Sequence, residues 1–202
     1  MRDGVIAPFG NPSSTGLGLI ESAALNGTIQ TAKGTTKTFD FNDSHEFGDW
    51  FGAGRNAALA VGGQASRESF VNRANSEYAE KVVASTGIDP NLLNQGSRSV
   101  YALFGELNVP LTKELDVTAA VRYDKYSDFG STTNPKVGFR YQLAKNLLVR
   151  GCYSTGFRAP SLYDDPRNCP GGKQNLKPEE SNNMTLGLVF EPINNLTLGL
   201  DL

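Results

Sequence analysis

The second half of the chain alternates apolar and polar residues with a period of two. Across residues 115–124 the odd positions are mainly apolar or aromatic, and the even positions are mostly polar. That period is typical of a β-strand with one apolar face. The alternation recurs in segments that we interpret as consecutive strands: 101–111, 115–124, 135–142, 147–154, 183–190 and 196–202.

The first half carries a weaker pattern. Residues 38–42 predict one strand and residues 57–65 predict its partner, joined near Trp50. Together with the segments above, this gives about eight strands, arranged as successive hairpins.

Two stretches of the first half lack the alternation. Residues 71–97 predict a long connection, in which Asn75 to Glu77 cap a short helix with its body at 78–84. Residues 1–33 are rich in Gly, Ser, Thr and Asn and predict a loop.

The connections differ between the two ends of the predicted sheet. Turns near residues 112, 145 and 193 are short, whereas 127–133 and 157–180 are longer and polar. Short turns at one end and long loops at the other are typical of outer-membrane barrels. Strands of about ten residues match a tilted bilayer crossing, whereas strands of soluble sheets are mostly shorter. The sequence therefore predicts an all-β, antiparallel transmembrane β-barrel.

Charged residues occupy the polar positions of four successive predicted strands. In a barrel this face lines the lumen, where opposite charges on neighbouring strands can pair. In a soluble sandwich it would be a solvated surface. The candidate lumen-lining residues are Glu106, Arg122, Asp124, Lys136, Arg140 and Arg150.

Composition argues against several classes of function. The chain has 202 residues and a net charge of −2, so no basic field favours nucleic acid as a partner. His45, placed beside a predicted turn, is the single histidine, so we expect no metal and no cofactor. Asp164 and Asp165 fit solvated loop charges better than an acid–base couple. Whether Cys152 and Cys169 pair is left open.

Two segments of the second half resemble the TonB-dependent receptors. Residues 156–161 read Gly-Phe-Arg-Ala-Pro-Ser, and residues 175–181 read Asn-Leu-Lys-Pro-Glu-Glu-Ser. In that family such segments begin and end an extracellular loop between two barrel strands. Residues 121–127 and 134–138 resemble the hairpin before it. The matching loop residues are Phe157, Arg158, Ala159, Pro160, Asn175, Pro178, Glu179 and Ser181.

The resemblance implies a plugged barrel of about 22 strands in the bacterial outer membrane. It implies import of a scarce nutrient, such as a siderophore, vitamin or carbohydrate, with energy from the TonB complex and without enzymatic catalysis. Residues 1–202 would then be part of the barrel, surrounded by membrane lipid, with the plug domain and terminal strands outside this sequence. Arg158 is expected to fasten its own loop to the barrel wall rather than to hold ligand.

Three alternatives remain open at this stage. One is a porin-like channel. Another is a barrel enzyme, for which His45 is the sole candidate base. The third is a soluble β-sandwich binding module.

Overall fold

The computed structural model describes residues 10–11, 13–24, 26–81, 89–162, 176–193 and 195–202. Its strands form one antiparallel sheet in which each strand lies beside its neighbours in sequence. The prediction of an all-β, antiparallel fold is confirmed. The strands are β1 (Gln30–Gly48), β2 (Ala57–Ala74), β3 (Leu93–Pro110), β4 (Leu115–Tyr126), β5 (Gly130–Ala144), β6 (Leu147–Arg158), β7 (Glu179–Ile193) and β8 (Leu196–Asp201).

Most strands are longer than predicted. β1 has 19 residues, β4 and β6 have 12 each, and β8 at the edge of the sheet has 6. At about 3.3 Å per residue, 12 residues extend about 40 Å, enough for a tilted strand to cross a bilayer. Among the described helices, none is long and apolar enough to cross a membrane.

The contacts divide the chain into two compact units, residues 1–33 with 71–94 and residues 34–70 with 95–202. The first unit contains two helices, α1 (Ser14–Ala23) and α2 (Ser76–Ala79). The Tyr78 ring occupies the space that a Cβ on Gly27 would need, so only glycine fits there.

Two predictions for the first half were wrong. Residues 1–33 are not all loop, because α1 and the start of β1 lie within them. The Ser13 hydroxyl accepts the Gly16 N–H at 3.1 Å and so caps α1, a signal that the flanking glycines concealed. His45 lies inside β1 rather than beside a turn, with its ring edge-on to Phe47 at a centroid distance of 4.9 Å.

The boundaries of the long connection also differ. The predicted short helix is present, but α2 begins at Ser76 rather than at Tyr78 and ends at Ala79, and the Asn75 side chain makes no capping hydrogen bond. Because β2 extends to Ala74 and β3 begins at Leu93, the connection is shorter than 71–97.

The connections define two ends of the sheet. We call the end with connections 49–56, 111–114, 145–146 and 194–195 the turn end. The opposite end, with 75–92, 127–129 and 159–178, is the loop end.

The prediction of a long connection at 127–133 was wrong, since β5 begins at Gly130. The Tyr126 ring stacks on Phe129 with a centroid distance of 4.4 Å, and Gly130 takes a φ of +114°. Together these features let the chain reverse its direction within residues 127–129.

One carboxylate organises the 49–56 connection at the turn end. Asp49 accepts backbone N–H groups of Gly54 at 2.7 Å, Ala53 at 2.9 Å and Phe51 at 3.3 Å. These bonds, the Gly54 bond above all, lower the pKa of Asp49, because they favour its charged form. The prediction that β1 and β2 join around Trp50 is confirmed.

Strand register places the six predicted charged residues on one side of the second unit. Glu106 and Lys136 both lie opposite Ala120, and Arg140 lies opposite Arg150. We call this side the charged face and the other side the apolar face. In a soluble protein apolar side chains are mostly buried and charged ones exposed, and these two faces show the reverse. On the apolar face Leu103 is 69% and Met184 78% exposed, whereas Asp124, 1% exposed, is the largest fully buried side chain among the described residues.

Candidate functional site

Arg98 of β3 forms a polar cluster at the loop end. Its Nη2 lies 2.8 Å from Glu68 Oε2 on β2, and its Nη1 lies 3.5 Å from Asp128 Oδ2 in the 127–129 connection. Nη1 also donates to the carbonyl oxygen of Pro160 at 2.7 Å, just beyond the end of β6. We call these residues, with Tyr126, the Arg98 cluster.

Burial strengthens this cluster. The Arg98 side chain is 10% exposed, and its guanidinium carbon lies 5.3 Å from the centre of the Tyr126 ring. A guanidinium shielded in this way interacts with carboxylates more strongly than a solvated one, and the aromatic face adds a cation–π contribution. The cluster therefore fixes the start of the 159–178 connection to two neighbouring hairpins.

A second network crosses the charged face closer to the middle of the sheet. Gln64 of β2 donates to Asp40 of β1 at 2.6 Å and accepts from Arg122 of β4 at 2.8 Å. The Arg122 Nε lies 3.0 Å from both carboxylate oxygens of Asp124. Its guanidinium also lies over the Phe104 ring of β3 at 5.7 Å. The buried Asp124 carboxylate is thus compensated by a cation that links four strands.

Further charge pairs follow the same face towards the turn end. Asp116 receives Arg55 Nη1 at 2.8 Å and lies 3.8 Å from Arg140 on β5. Arg150 pairs with Asp201 of β8 at 2.9 Å. Neither Glu106 nor Lys136 makes an ion pair within the described part of the chain. Opposite charges on different strands do pair, as the alternation predicted.

A cleft of about 700 Å³ opens at the loop end between β5 and β6. The ladder between these strands stops at Lys136 and Ser154. Their pairing with the outer neighbours continues further, to Gly130 on one side and to Arg158 on the other. The two hairpins therefore separate, and the cleft lies in the gap.

Pro135 explains where the separation begins. The N–H of Gln142 donates to the Glu114 carbonyl beside β4 at 2.8 Å. Because N–H direction alternates along a strand, the odd-numbered residues of β5 direct theirs towards β6. Pro135 is one of them and has no N–H to give to Thr155, so the ladder ends there. A hydrogen bond from Thr155 Oγ1 to Asn134 Oδ1, at 3.4 Å, spans the gap instead.

The cleft wall is mostly neutral and polar. Hydroxyl and amide groups line it, with one cation and one carboxylate, and two aromatic rings lie beside them. Such a surface is suited to hydrogen bonding with a polar ligand, and it contains no pair of groups arranged for proton transfer. The lining residues are Phe129, Ser131, Thr132, Thr133, Asn134, Pro135, Thr155, Gly156, Phe157, Lys177, Pro178, Glu180, Ser181 and Asn182.

The predicted loop-motif residues divide between these sites. Phe157, Pro178 and Ser181 line the cleft. Pro160, which follows Ala159, belongs to the Arg98 cluster, since its carbonyl oxygen accepts a hydrogen bond from Arg98. Asn175, like Cys169, Asp164 and Asp165, lies outside the described residues.

Arg158 lies next to Glu179 at 3.7 Å, and both side chains are almost fully solvated. It is a poor anchor for its loop, and Arg98 is the arginine that holds the Pro160 carbonyl. Sequence reasoning missed Arg98 because the clear alternation of this strand begins only at Tyr101, whereas β3 begins at Leu93. Continuing the alternation back from Glu106 by even steps reaches Arg98 and would have found it.

The described residues provide no metal site. No group of three His, Cys, Asp or Glu side chains among them is placed to hold a metal ion. Cys152 is a free, partly buried thiol on β6. The geometry supports binding through hydrogen bonds and charge.

Comparison with known proteins is consistent with this geometry. Residues 6–202 match the family model described as TonB dependent receptor-like, beta-barrel. The vitamin B12 transporter BtuB of Vibrio vulnificus (strain CMCP6) is 34% identical over 102 residues, which are 50% of this chain and 16% of that protein. The probable TonB-dependent siderophore receptor PirA of Acinetobacter baumannii (strain ATCC 19606) is 26% identical over 122 residues, with 49% and 16% covered.

A solved structure shows the same fold. The siderophore receptor PirA from Acinetobacter baumannii superposes with a TM-score of 0.67 at 19% sequence identity. The match covers 84% of this chain and 26% of that chain. This chain therefore spans about a sixth of the curated relatives and about a quarter of the solved receptor, where it corresponds to part of the barrel.

The resemblance inferred from residues 156–161 and 175–181 is thus confirmed, as is the partial transmembrane barrel. The family consists of transport receptors and not of enzymes. Its members lie in the outer membrane of bacteria, which places this chain there as well. The family-model match extends over nearly the whole chain, so the chain belongs to the TonB-dependent receptor-like β-barrel family.

Proposed function

We propose that the protein containing this barrel segment is an outer-membrane receptor that binds a scarce nutrient outside the cell and imports it with energy from the TonB complex. The observation that carries the proposal is the reversed burial of the sheet. Exposed apolar side chains cover one face, and the fully buried carboxylate of Asp124 lies on the other. A sheet of this kind suits lipid on one side and an enclosed polar interior on the other.

The charged face then lines the lumen. Glu106, Arg122, Asp124, Lys136 and Arg140 face it, together with Arg150. Most of the arginines are neutralised by the pairs described above, which keeps the wall rigid and limits the desolvation cost of these charges. Glu106 and Lys136 flank the small Ala120 and are the charges available to a plug or a passing solute.

Residues 1–202 form part of a larger barrel in this proposal. The relatives are much longer than this chain, and β1 and β8 lie at the two edges of the sheet, where further strands would continue the hydrogen bonding. Contact with TonB would be made by a part of the receptor outside this sequence.

The names of the relatives support a proposal for the class of cargo. One is named a vitamin B12 transporter and others are named siderophore receptors. We propose cargo of this kind, a large polar chelate, bound on the loop-end side where the cleft and the Arg98 cluster lie. The mechanism consists of binding and conformational change without a covalent step.

Uptake measurements test the import function. The full-length receptor is expressed in a bacterium that lacks its own cobalamin and ferric-siderophore receptors, with and without an intact tonB gene. We expect accumulation of radiolabelled cobalamin or of a labelled ferric siderophore in the intact strain, and its loss in the tonB deletion. Equal accumulation in both strains would indicate a diffusion channel and contradict the proposal.

Single cysteines, introduced after Cys152 and Cys169 have been replaced by serine, test the membrane placement independently. Leu103→Cys on the apolar face and Glu106→Cys on the charged face lie close together on β3. In outer-membrane vesicles, a lipid-soluble quencher should reach a fluorophore on residue 103 and not one on residue 106. The reverse result would show that the faces have been assigned wrongly.

A further inference from the structure

We propose that the cleft between β5 and β6 binds an extended, uncharged peptide, which inserts between the two strands and completes their hydrogen bonding. The site deepens the proposed import function, on which it rests, because it gives the cargo a peptide backbone. It lies within the wall of the barrel, and its main recognition groups are backbone atoms rather than side chains.

Both walls of the cleft are strand edges that lack a partner across the gap. The ladder between β5 and β6 stops at Lys136 and Ser154, yet β5 extends to Gly130 and β6 to Arg158. Each strand remains paired on its outer side, β5 with β4 and β6 with β7. Their inner edges therefore present backbone groups to the gap, and such edges are a template for a further strand.

The register shows which backbone groups point into the gap. Odd-numbered residues of β5 direct theirs towards β6, as the bond from Gln142 to the β4 side requires, and their partners on β6 are odd-numbered as well. Beyond the ladder these are Ser131 and Thr133 on one edge, and Thr155 and Phe157 on the other. They all line the cleft. Because the N–H and the carbonyl of one residue point to the same side, each offers a donor and an acceptor.

The size of the cleft fits a strand of about four residues. Inside a sheet, one residue takes up about 4.8 Å between neighbouring strands, about 10 Å across the sheet and about 3.3 Å along the chain, which is about 160 Å³. The cleft has a volume of about 700 Å³. The edge of β6 beyond the ladder, residues 155–158, has the same length. An inserted strand runs antiparallel to one edge and parallel to the other, and both arrangements form hydrogen bonds.

Pro135 keeps the two edges from closing on each other. It lacks the N–H that would bond to Thr155, so the next step of the ladder gains one hydrogen bond fewer than the steps before it. Thr155 contacts Asn134 through its side chain, at the long distance of 3.4 Å. The sequence therefore sets the gap at a fixed level of the two strands.

The gap lies at a level of the wall that water reaches. On the apolar face, β5 has Val137, Phe139 and Tyr141 closer to the turn end, but Ser131 and Thr133 along the gap. Unpaired backbone groups are excluded from hydrocarbon, because nothing there bonds to them. The change from apolar to hydroxyl side chains therefore places the two edges beyond the hydrocarbon, open to the outside of the cell.

The side chains around the gap favour an uncharged peptide. Asn134, Ser181 and Asn182 contribute amide and hydroxyl groups, and the two charges of the lining, Lys177 and Glu180, have opposite sign. A ligand with a net charge gains no net attraction from this lining. An apolar side chain of the peptide can pack on the two aromatic rings beside the gap.

Affinity selection with the full-length receptor in mild detergent tests the proposal. The probe is a library of tetrapeptides that are acetylated and amidated at their ends and carry uncharged side chains, and mass spectrometry identifies those that the receptor retains. The control library has the same side chains with every backbone nitrogen methylated. We expect retained peptides from the first library only, because each lost backbone hydrogen bond weakens binding about fivefold.

Amide hydrogen exchange identifies where a retained peptide lies. Exchange should slow at Ser131 and Thr133 together with Thr155 and Phe157, because the N–H groups of both edges gain a partner. A peptide held by side chains alone would leave these rates unchanged and would overturn the proposal.

Proline variants test the same groups by mutation. Thr133→Pro removes an N–H that faces the gap, where proline is tolerated, so the barrel should fold and bind the peptide at least about fivefold more weakly. Thr133→Ala changes the same side chain but keeps the N–H, and should bind more tightly than Thr133→Pro. Thr132→Pro removes an N–H on the β4 side and should instead destabilise the barrel. Heat-modifiable electrophoretic mobility reports folding.

The remaining outcomes decide against the proposal. Equal retention of the two libraries would overturn it, as would retention of neither, or wild-type binding by a folded Thr133→Pro variant. Uptake assays keep the two proposals apart. A receptor that imports cobalamin or a ferric siderophore through TonB but retains no tetrapeptide contradicts this inference alone. A receptor that retains tetrapeptides with the expected protection but accumulates no labelled cargo contradicts only the import function.

Discussion

Replacing Arg98 by methionine tests whether the buried cluster holds the loop end together. The substitution keeps most of the side-chain volume and removes the charge, leaving Glu68 and Asp128 without their cation. It also removes the bond to the Pro160 carbonyl. Loss of one partner from a buried ion pair costs about 3–5 kcal/mol.

Partial solvation reduces the expected magnitude. The side chains are 10% exposed for Arg98, 11% for Asp128 and 31% for Glu68, so water recovers some of the lost stabilisation at Glu68. We therefore expect a decrease in the free energy of unfolding of about 2–3 kcal/mol. The stability of Arg98→Lys should lie between that of the wild type and that of Arg98→Met. Lysine keeps the charge but lacks the planar guanidinium that reaches several acceptors at once.

Arg158→Met is the matched control. Arg158 also flanks the 159–178 connection, but its pair with Glu179 is 3.7 Å long with side chains that are 82% and 77% exposed. Its loss should change stability by less than about 0.5 kcal/mol. The assay is denaturant titration of the full-length receptor in detergent, with limited proteolysis of the 159–178 connection as a local readout.

A double-mutant cycle gives the sharpest test. In the Arg98→Met background, Glu68→Gln should restore about 1 kcal/mol, because it removes a carboxylate that has lost its cation; in the wild type it should destabilise. If Arg98→Met cost no more than Arg158→Met, or if the cycle showed no coupling, the cluster would not anchor the loop end.

Three further predictions follow from backbone geometry and charge. Gly62→Val should destabilise the barrel by about 1–3 kcal/mol, since an added Cβ meets a backbone carbonyl oxygen at 2.6 Å, whereas Gly63→Val has room; comparing their unfolding free energies checks this. Pro135→Val should supply the missing N–H and extend the ladder between β5 and β6, which slower amide hydrogen exchange at the cleft would show and unchanged exchange would contradict. The lowered pKa of Asp49 predicts that its connection is stable above the ordinary carboxyl pKa near 3.8 and loosens as the pH falls through the lowered value. Amide exchange at Gly54 should report that acid transition, and Asp49→Asn should remove its pH dependence.

The strand pattern was readable from the sequence because a period of two is a local property. Each residue pair along a strand shows which side chains share a face, so the charged set from Glu106 to Arg150 could be assigned before any pairing was known. The charged residues of β4 to β6 fell on one side because the connections 127–129 and 145–146 are short and fix the register of these strands. Helix α1 was missed because Gly16 and Gly18 weaken helix propensity, and its N-cap bond is visible only once the chain is folded.

The sequence alone determined the class of fold, the two faces of the sheet and the family. Only the tertiary structure decided which charges meet. Arg98 reaches Glu68 across 30 residues and Pro160 across 62, and such contacts depend on register and sheet twist, which no local pattern encodes. The cleft also depends on the tertiary structure, because only the strand pairing shows that the backbone nitrogen of Pro135 faces β6, where a hydrogen bond is missing. The burial of Asp124 and the exposure of Leu103 likewise required the folded sheet, because the burial of a side chain depends on which residues of neighbouring strands surround it.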